Sequence, residues 1–500
     1  MSINSDESDD KTIVARENNN LNKDPSLTSL EDQKIDRSIE KQLLRKLDMR
    51  IIPLFTLSYF FNNLEKSNIG NAKIAGLTAN SGISEPDYNN ALSLFYIGAI
   101  LFDMPSGFLN KKIGINIWYP IILVGCASCS LSQAFVANAS QLQALRFLLG
   151  VFESAAGPIQ FYYYTVWYTP NEISVRAAIA FSFSMTAGAF GSLTAYAIVN
   201  NMDGLNGLHG WQWIFIIEAL PPFILAAIFY FVIPKDQNHA KFLTKDEVSL
   251  AYERLQIRVT PSKLPNDVIK KQIFSVFTDF KMYLFAIGTL ANSVLLNSVL
   301  LFTPTIIKEM GFDSIRAQAL SAPPFIVGSI VLSFNAWLSN RNNERVFHIA
   351  IPDLIAAVGL IVTISIAPTK ENIAIRYVAA CITIAALISY LAVFASWMTS
   401  NIVGQYKRAV GMAFIGTIGE TGGIIAGQVY RADNISRGHI IIFSFLCLHL
   451  TIALSAKFIF TRLNKKKDLL QKNSDNKDVK FEEKYNEELF DHHPNWRYLT

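Results

Sequence analysis

An acid and a base stand side by side at Glu65 and Lys66, directly after an apolar run. Residues 51–64 alone would form about 21 Å of helix, whereas the hydrocarbon core of a bilayer is about 30 Å thick. Charged residues precede this run, so the helix must continue through Glu65 and Lys66 to cross a membrane. We therefore expect both charges at membrane depth, where each needs water or a partner.

The same helix carries further polar residues. Asn62, Lys66 and Lys73 follow i, i+4 and i+11 spacing, with Glu65 beside them and Asn68 half a turn further on. Such a polar stripe is expected to face the interior of a bundle, and the alternative is a charged pair that snorkels to the outer surface. Inside a watery cavity, an ammonium group can bind a carboxylate as a point charge.

A second set of charges lies in the fourth apolar segment. Arg146, Gly150 and Glu153 occupy i, i+4 and i+7 and share one helical face. Arg146 and Glu153 are about 10 Å apart along the axis, so each is expected to have its partner on another helix. We interpret both as functional, whereas Asp103 and Glu218, in other apolar segments, are interpreted as structural.

The composition indicates that membrane helices position these residues. Of the 500 residues, 51% are hydrophobic and only 17% are charged, with a mean hydropathy of +0.27; soluble chains carry about 25% charged residues. The net charge of +4 is too small to indicate nucleic-acid binding. Twelve segments are apolar and long enough to cross a bilayer. They are residues 51–75, 89–109, 115–136, 142–164, 177–200, 212–233, 282–306, 319–339, 347–367, 376–400, 408–430 and 438–461.

Basic residues predict the orientation. They concentrate before the first span, between the sixth and seventh spans, and after the last, and the positive-inside rule places all three regions in the cytoplasm. We predict a multi-pass protein of the plasma membrane, with the vacuolar membrane as the open alternative. Its predicted domains are a disordered cytoplasmic N-terminal tail (1–49), a six-helix bundle (50–234), a cytoplasmic central loop (235–280), a second six-helix bundle (281–461) and a cytoplasmic C-terminal tail (462–500).

The two halves echo each other. Basic turns at residues 107–114 and 337–345 stand at equivalent places in the two six-span units. The pattern predicts an all-α membrane protein of 12 transmembrane helices in two six-helix bundles. This is the architecture of a rocking transporter, with its binding site between the halves near the midplane.

Enzymatic chemistry has little support. His348 and Asp353 match the His-x4-Asp spacing of acyltransferases, but Pro352 interrupts the pattern at the start of a span. The histidines and cysteines lack zinc-site spacing, and all four cysteines lie in apolar runs, which argues against a disulfide framework. We predict neither an enzyme nor a metal protein.

Several motifs together resemble the major facilitator superfamily, and within it the fungal allantoate permease family of anion:cation symporters. The strongest, Asn-Leu-Glu-Lys-Ser-Asn-Ile-Gly-Asn-Ala at 63–72, is similar to the family's first-span signature, and its lysine is most similar to the nicotinic acid permease branch. The other motifs are Phe102-Asp-Met-Pro-Ser, Arg146-x3-Gly150-x2-Glu153, residues 207–213 with Glu218, residues 302–306, 311–312, 323–324 and 401–409, and His-Pro-Asn-Trp-Arg-Tyr at 493–498.

Two positions depart from the family pattern. The loop after the second span, Asn110-Lys111-Lys112, lacks the aspartate common in the superfamily, so the gating ion pair usually built there lacks its acid. In the eleventh span the family often has Gly-Asn, whereas this chain has Gly419-Glu420. The extra acid is expected to bear on substrate choice or proton coupling.

The resemblance implies a proton-coupled symporter that imports a small organic anion by alternating access. Its implied partners are the anion, the proton and membrane lipid, without nucleic acid or cofactor, and it would act as a monomer. It also implies that Glu153, supported by Arg146, couples the proton while Lys66 binds the anion. The substrate-binding candidates are Lys66, Glu65, Asn62, Asn68, Trp397 and Glu420.

Nicotinate is the first substrate candidate, on which Trp397 or the aromatic run 162–164 could stack. Allantoate, pantothenate and biotin remain open, since each would suit a cationic cavity. A drug:proton antiporter and a non-transporting nutrient sensor are the alternatives. Residues 187–191 of the fifth span lack the proline pattern of the antiporters, and the tails contain no evident sensor domain.

Overall fold

The computed structural model describes residues 37–154, 156–259, 266–367, 369–430, 435–474 and 496–500. Within these ranges every long regular element is a helix and there is no strand. Helices satisfy their backbone hydrogen bonds internally, which a chain surrounded by hydrocarbon must do.

The first half of the chain forms nine α-helices. In order, they are α1 (Arg37–Ile74), α2 (Leu77–Ser81), α3 (Glu85–Ile113), α4 (Ile115–Gln133), α5 (Ala139–Glu153), α6 (Ala156–Trp167), α7 (Pro170–Met185), α8 (Ala187–Met202) and α9 (Gly210–Val232).

The second half contains seven α-helices, and two more connect the halves. The connecting helices are α10 (Lys245–Val259) and α11 (Asn266–Thr278). The second half comprises α12 (Phe280–Glu309), α13 (Ser314–Asn342), α14 (Phe347–Ser365), α15 (Ile373–Ser389), α16 (Leu391–Ser400), α17 (Gln405–Ala426) and α18 (Ile435–Ser474).

Ten helices or helix pairs within the described ranges are long and apolar enough to cross a membrane. The other two predicted spans fall outside this group for identifiable reasons. α1 carries Glu65 and Lys66 directly after its apolar run. α5 and α6 have only 15 and 12 residues, each short of the roughly 20 that a crossing needs, but they follow one another along the chain. The predicted all-α membrane architecture is confirmed.

The helices pack as two bundles. α3 packs on α5 and α4 on α9 in the first half, while α12 packs on α17 and α13 on α15 in the second. The halves meet where α1 contacts α12, α3 contacts α17, and α8 contacts α13. We call the face that carries α10, α11 and residues 496–500 the tail face, and the opposite one the distal face.

The predicted disordered tail is wrong for residues 37–49, which form the first turns of α1. Leu43 and Leu47 are fully buried at i, i+4 spacing, so this polar stretch is an amphipathic helix that packs on the bundle. Residues 1–36 lie outside the described residues.

The central region, predicted as a loop, contains two docked helices. α10 places the fully buried side chain of Arg254 between Glu40 and Glu172, at 2.8 and 2.7 Å. Glu172 precedes the apolar part of its span, Val175–Met202. Burial by itself would raise the pKa of the Glu172 carboxyl, but the Thr169 N–H and the Arg254 guanidinium bond its charged form and hold the pKa below its usual 4.5.

The other connecting helix docks on the second half. The Gln272 Oε1 of α11 accepts hydrogen bonds from the backbone N–H groups of Tyr406 and Lys407, at 2.9 and 3.3 Å. These residues begin α17, and the Lys407 ammonium pairs with Asp279 at 2.8 Å, next to the start of α12. Each half of the protein therefore holds one helix of the central region.

The two halves are sealed at the distal face. Ser93 of α3 donates to the carbonyl of Ile424 at 3.0 Å, and the Asn89 side chain donates to the carbonyl of Tyr430 at 3.2 Å. The seal is tight because α17 presents glycine here: a Cβ at Gly423 would overlap the ring of Tyr96.

Toward the tail face the same two helices part. Among the described residues, no neighbouring atom outside the local helix lies within 4 Å of a Cβ placed at Gly107 of α3 or Gly416 of α17. Glu420 is exposed and Asp103 half-exposed on these helices. The interface between the halves is thus closed at the distal face and open toward the tail face.

Arg254→Met is expected to destabilise the protein by about 2–4 kcal/mol at pH 7, because Glu40 and Glu172 lose a buried cationic partner. Thermal unfolding in detergent measures the loss. The pKa of Glu172 is lowered in the folded protein. Its share of the stabilisation is therefore complete above the unfolded-state carboxyl pKa of about 4.3 and disappears as the pH falls through the lowered pKa.

Lys46→Met is the matched control. Lys46 pairs with Glu247, but its side chain is 45% exposed, and an exposed pair contributes at most about 1 kcal/mol. Equal losses of unfolding free energy in the two variants would show that the burial of Arg254 adds nothing to the stability of the protein.

Gly423→Val is expected to open the distal face, because the new side chain cannot share space with the Tyr96 ring. The readout is thiol labelling of Ser93→Cys, a position that is 7% exposed, in a chain without its four native cysteines. An overpacking cost of about 1–3 kcal/mol in the closed form should raise the labelling rate about tenfold.

Gly416→Val is the control for the Gly423→Val substitution, since open space surrounds position 416. It should leave labelling at position 93 unchanged. If both variants label at the unmodified rate, the Gly423–Tyr96 contact does not hold the distal face closed.

Candidate functional site

The polar residues of α1 are shielded from lipid because this helix is surrounded. It packs against α7, α8 and α9 of its own half and α12 of the other. Asn62 is 4% exposed, Glu65 1% and Asn68 fully buried. Side chains on this helix therefore face other helices at membrane depth. If they snorkelled, their polar ends would instead reach the membrane surface.

Lys66 points from α1 toward α3. Its ammonium nitrogen lies 4.8 Å from the ring centroid of Tyr96 and 5.3 Å from that of Phe95. The negative faces of two aromatic rings stabilise a cation that burial has partly stripped of water. No carboxylate among the described residues forms an ion pair with Lys66. Within the described part of the chain, the charge is therefore stabilised by aromatic faces and not by an ion pair.

Two acids contribute to the electric field at Lys66. These acids are Glu420 on α17 and Glu153 at the end of α5. The side chains of Tyr96 and Tyr59 contribute to the field as well. Glu420 belongs to the second half and faces the opening toward the tail face. The structure thus brings one cation together with an acid from each bundle.

Glu65 points away from Lys66, because adjacent helical residues diverge by about 100°. The two side chains do not form an ion pair with each other. The charged groups that act most strongly on Glu65 are Glu153, Glu218 and Arg146. The Oε1 atom of Glu65 has no hydrogen-bond partner among the described residues. Glu65 belongs to the interior of the first bundle rather than to the surroundings of Lys66.

Arg146 is the cation of that interior. It is 1% exposed and lies in the fields of Tyr88, Glu153, Tyr96 and Glu65. Two of its guanidinium nitrogens and the Oε2 atom of Glu153 lack a hydrogen-bond partner within the described part of the chain. Arg146 and Glu153 do not pair directly, and among the described residues neither forms the expected ion pair with a residue on another helix. Buried polar atoms without a protein partner commonly bind water.

Glycine brings these charges together. A Cβ at Gly150 would overlap the backbone carbonyl of Phe95, so only glycine lets α5 approach α3 this closely. Gly150 lies between Arg146 and Glu153 on the same face, and Phe95 adjoins Tyr96. One close helix crossing therefore places Arg146 and Glu153 against the helix whose aromatic rings face Lys66.

Asn68 and Asn62 have different surroundings. The Asn68 side chain lies 3.4 Å from the Ser130 hydroxyl and also interacts with Glu218. Thr194 donates to the Oε1 atom of Glu218 at 2.8 Å, which fits the predicted structural role of that acid. Asn62 is buried with its Oδ1 unpartnered among the described residues.

Trp397 lies away from this cluster. It is fully buried, packs edge-on against Phe285 and at a tilt against Phe460, and donates its indole N–H to the carbonyl of Leu499 at 2.9 Å. The aromatic run 162–164 is also engaged elsewhere. The hydroxyl of Tyr163 donates to the carbonyl of Pro234 at 2.9 Å, Tyr164 packs on Phe55, and Tyr162 is 57% exposed.

Lys73 is also separate from Lys66. It pairs with Glu85 at 2.6 Å and covers the ring of Tyr88 at the distal end of the bundle. The acyltransferase spacing is incidental in the fold: His348 bonds Asn335, whereas Asp353 bonds His449.

The sequence analysis missed Phe95, Tyr96 and Tyr59. Their signal was their depth: Phe95 and Tyr96 lie in the outer half of the second span and Lys66 in the outer part of the first. Aromatic residues are so frequent in this chain, with 35 phenylalanines and 18 tyrosines, that depth alone does not single them out.

Comparison with known proteins accords with this geometry. Residues 55–427 match the family model of the Major Facilitator Superfamily. An uncharacterised transporter of Schizosaccharomyces pombe is 31% identical over 464 residues, which cover 91% of this chain and 92% of the relative. The MFS transporter prlL of a fungal species is 31% identical over 417 residues, covering 82% of this chain and 83% of the relative.

A solved structure shares the fold. It is the inward-facing, unoccupied form of a bacterial homologue of the human lysosomal transporter Spinster. The TM-score is 0.62 at 13% identity, with 82% of this chain and 97% of that chain covered. By family match and architecture, the chain belongs to the Major Facilitator Superfamily and is a multi-pass membrane transporter, not an enzyme.

Proposed function

We propose that this transporter is a proton-coupled symporter that imports a small organic anion by alternating access. The observation that carries the proposal is the Lys66 ammonium, which is held over two aromatic rings at the interface of the bundles, without a described carboxylate in contact. A site of this kind attracts a carboxylate, because the charge has already lost part of its water and has no anionic partner to displace.

The two acids near Lys66 supply the coupling. While Glu153 and Glu420 are ionised, their negative charges repel an entering anion and compensate Lys66. Protonation of Glu153 removes one of these charges, so proton and anion binding favour each other. The anion and the proton together add no net charge to the site, so moving them through the membrane interior costs less than moving a lone ion. No cofactor other than the proton is needed.

The family resemblance within the sequence and the aromatic surroundings favour nicotinate, a pyridine monocarboxylate, as the first substrate to test. Phe95 and Tyr96 offer rings near the cation. An aromatic carboxylate can place its charge on Lys66 and its ring against such faces. Allantoate, pantothenate and biotin share the carboxylate but not the aromatic ring.

The concentration of basic residues at the tail face supports a cytoplasmic location for it under the positive-inside rule. With the distal face sealed and the tail face open, the described conformation then corresponds to an inward-facing carrier in the plasma membrane. Import ends in this state, when the anion and the proton leave toward the cytoplasm.

Lys66→Gln is expected to abolish saturable uptake at unchanged surface expression, a loss of at least about 30-fold, because the anion loses its charged partner. Uptake of labelled nicotinate, allantoate, pantothenate and biotin in a permease-deficient fungal host measures this loss. The same assay identifies which of the four anions is the substrate. Lys308→Gln is the charge-matched control, since Lys308 is exposed at the distal end of α12. Full uptake by Lys66→Gln would remove Lys66 from the site.

Uptake is expected to rise as the external pH falls and to stop when a protonophore collapses the gradient. Glu153→Gln, which mimics the protonated acid, should flatten this pH response. Glu218→Gln should retain it, because Glu218 is already bonded by Thr194. Initial rates across a range of external pH give the comparison. Uptake by the unmodified carrier that ignores both pH and protonophore would indicate facilitated diffusion instead.

A further inference from the structure

Residues 496–500, the tail segment, lie extended on the tail face of the second bundle and are bound through their backbone. At Tyr498 the backbone N–H donates to the Oδ1 of Asn464 at 2.9 Å, and the carbonyl accepts from the Nδ2 of the same asparagine at 2.8 Å. One carboxamide of α18 thus hydrogen-bonds both the N–H and the carbonyl of one residue, as a neighbouring β-strand would.

A second asparagine repeats this arrangement at the next residue. The N–H of Leu499 donates to the Oδ1 of Asn401 at 2.9 Å, and its carbonyl accepts from the Nδ2 of Asn401 at 3.1 Å. The same carbonyl accepts the indole N–H of Trp397 at 2.9 Å. Asn401 caps the end of α16, so this contact holds the point where the tenth span ends.

Side chains add selectivity for an aromatic residue. The Tyr498 ring is 5% exposed and stacks on Phe460, with centroids 4.9 Å apart and an interplanar angle of 15°. Its hydroxyl accepts a hydrogen bond from the Lys281 ammonium of α12 at 3.0 Å. The carbonyl of Trp496 accepts from Lys467 at 3.1 Å.

The receiving groups are buried, and this indicates a built site. Trp397 is fully buried, Asn401 is 1% exposed and Lys281 4%. Trp397 and Asn401 bond the backbone of the tail segment, and a buried donor or acceptor that loses its partner is costly. Lys281 bonds the Tyr498 hydroxyl and also pairs with Asp279 at 3.1 Å. The sequence had singled out residues 493–498 as a motif, and neither the anion site nor the coupling acids use it.

We propose that this surface is a peptide-binding site whose ligand is the chain's own tail segment: an extended backbone read by Asn401 and Asn464, with an aromatic side chain against Phe460. Docking joins α12, the end of α16 and α18, together with the N–H of Arg345 ahead of α14, which donates to the carbonyl of Thr500 at 2.9 Å. The segment thereby holds the tail-face ends of the second bundle together as one unit.

Hydrogen exchange in the intact protein tests the docking. The amides of Tyr498 and Leu499 should exchange at least about tenfold more slowly than in a free peptide of the same sequence. Asn464→Ala should remove most of the protection at Tyr498. Asn340→Ala, an exposed asparagine at the tail-face end of α13, is the matched control and should change nothing. Exchange at the free-peptide rate in the unmodified protein would overturn the proposal.

Binding in trans tests whether the surface is a site in its own right. A chain ended after residue 495 should unfold about 4 °C lower or more. A synthetic Trp-Arg-Tyr-Leu-Thr peptide should restore the unfolding temperature, whereas a scrambled peptide should not.

Asn401→Ala in the truncated chain should abolish the rescue. Equal rescue by the scrambled peptide, or no binding of the authentic one to a folded truncated chain, would refute the site. If the truncated chain does not fold, the exchange experiment on the intact protein decides the matter alone.

Discussion

The Lys66 ammonium lies inside a membrane bundle over the faces of Phe95 and Tyr96, and the neighbouring structure follows from the need to stabilise this charge. A cation at membrane depth costs about 2.5–3.5 kcal/mol on insertion scales. Aromatic faces recover part of this cost without neutralising the charge. A carboxylate in contact would recover more but would compete with any incoming anion. The observed compromise keeps Glu153 and Glu420 within electrostatic reach but out of contact.

Tyr96 links this charge to the conformation of the whole molecule. One of its neighbours is Lys66, and another is Gly423 of the opposite bundle, at the distal seal. A substituent that changes how Tyr96 packs therefore acts on both the cation and the seal. Gly150 and Gly423 are the small residues that make this possible, since each lets a helix approach at a distance that a Cβ would forbid.

Much of the fold could be predicted because hydrocarbon demands long apolar helices and basic residues mark one face. The position of Lys66 within the bundle followed from span length. Polar stretches were harder. Residues 37–49 contain many charges, yet Leu43 and Leu47 are buried, because amphipathic packing can outweigh a polar composition.

The direction in which each side chain points could not be predicted from the sequence either. Glu65 and Lys66 are neighbours in the chain, but the helix sends them to different surroundings. Trp397 looked suited to a planar ligand, whereas its indole N–H bonds residue 499, about a hundred positions away. Contacts of that separation depend on tertiary packing, which local patterns do not encode.

The two helices of the central region have a mechanical consequence. α10 is anchored to the first bundle through Arg254, and α11 to the second through Gln272. Only the chain from Val259 to Asn266 is left to connect the two anchored bodies. Seven Cα–Cα steps reach at most about 25 Å. Covalent geometry therefore limits how far the last residue of α10 and the first residue of α11 can separate, and with them the parts of the two bundles to which these helices are anchored.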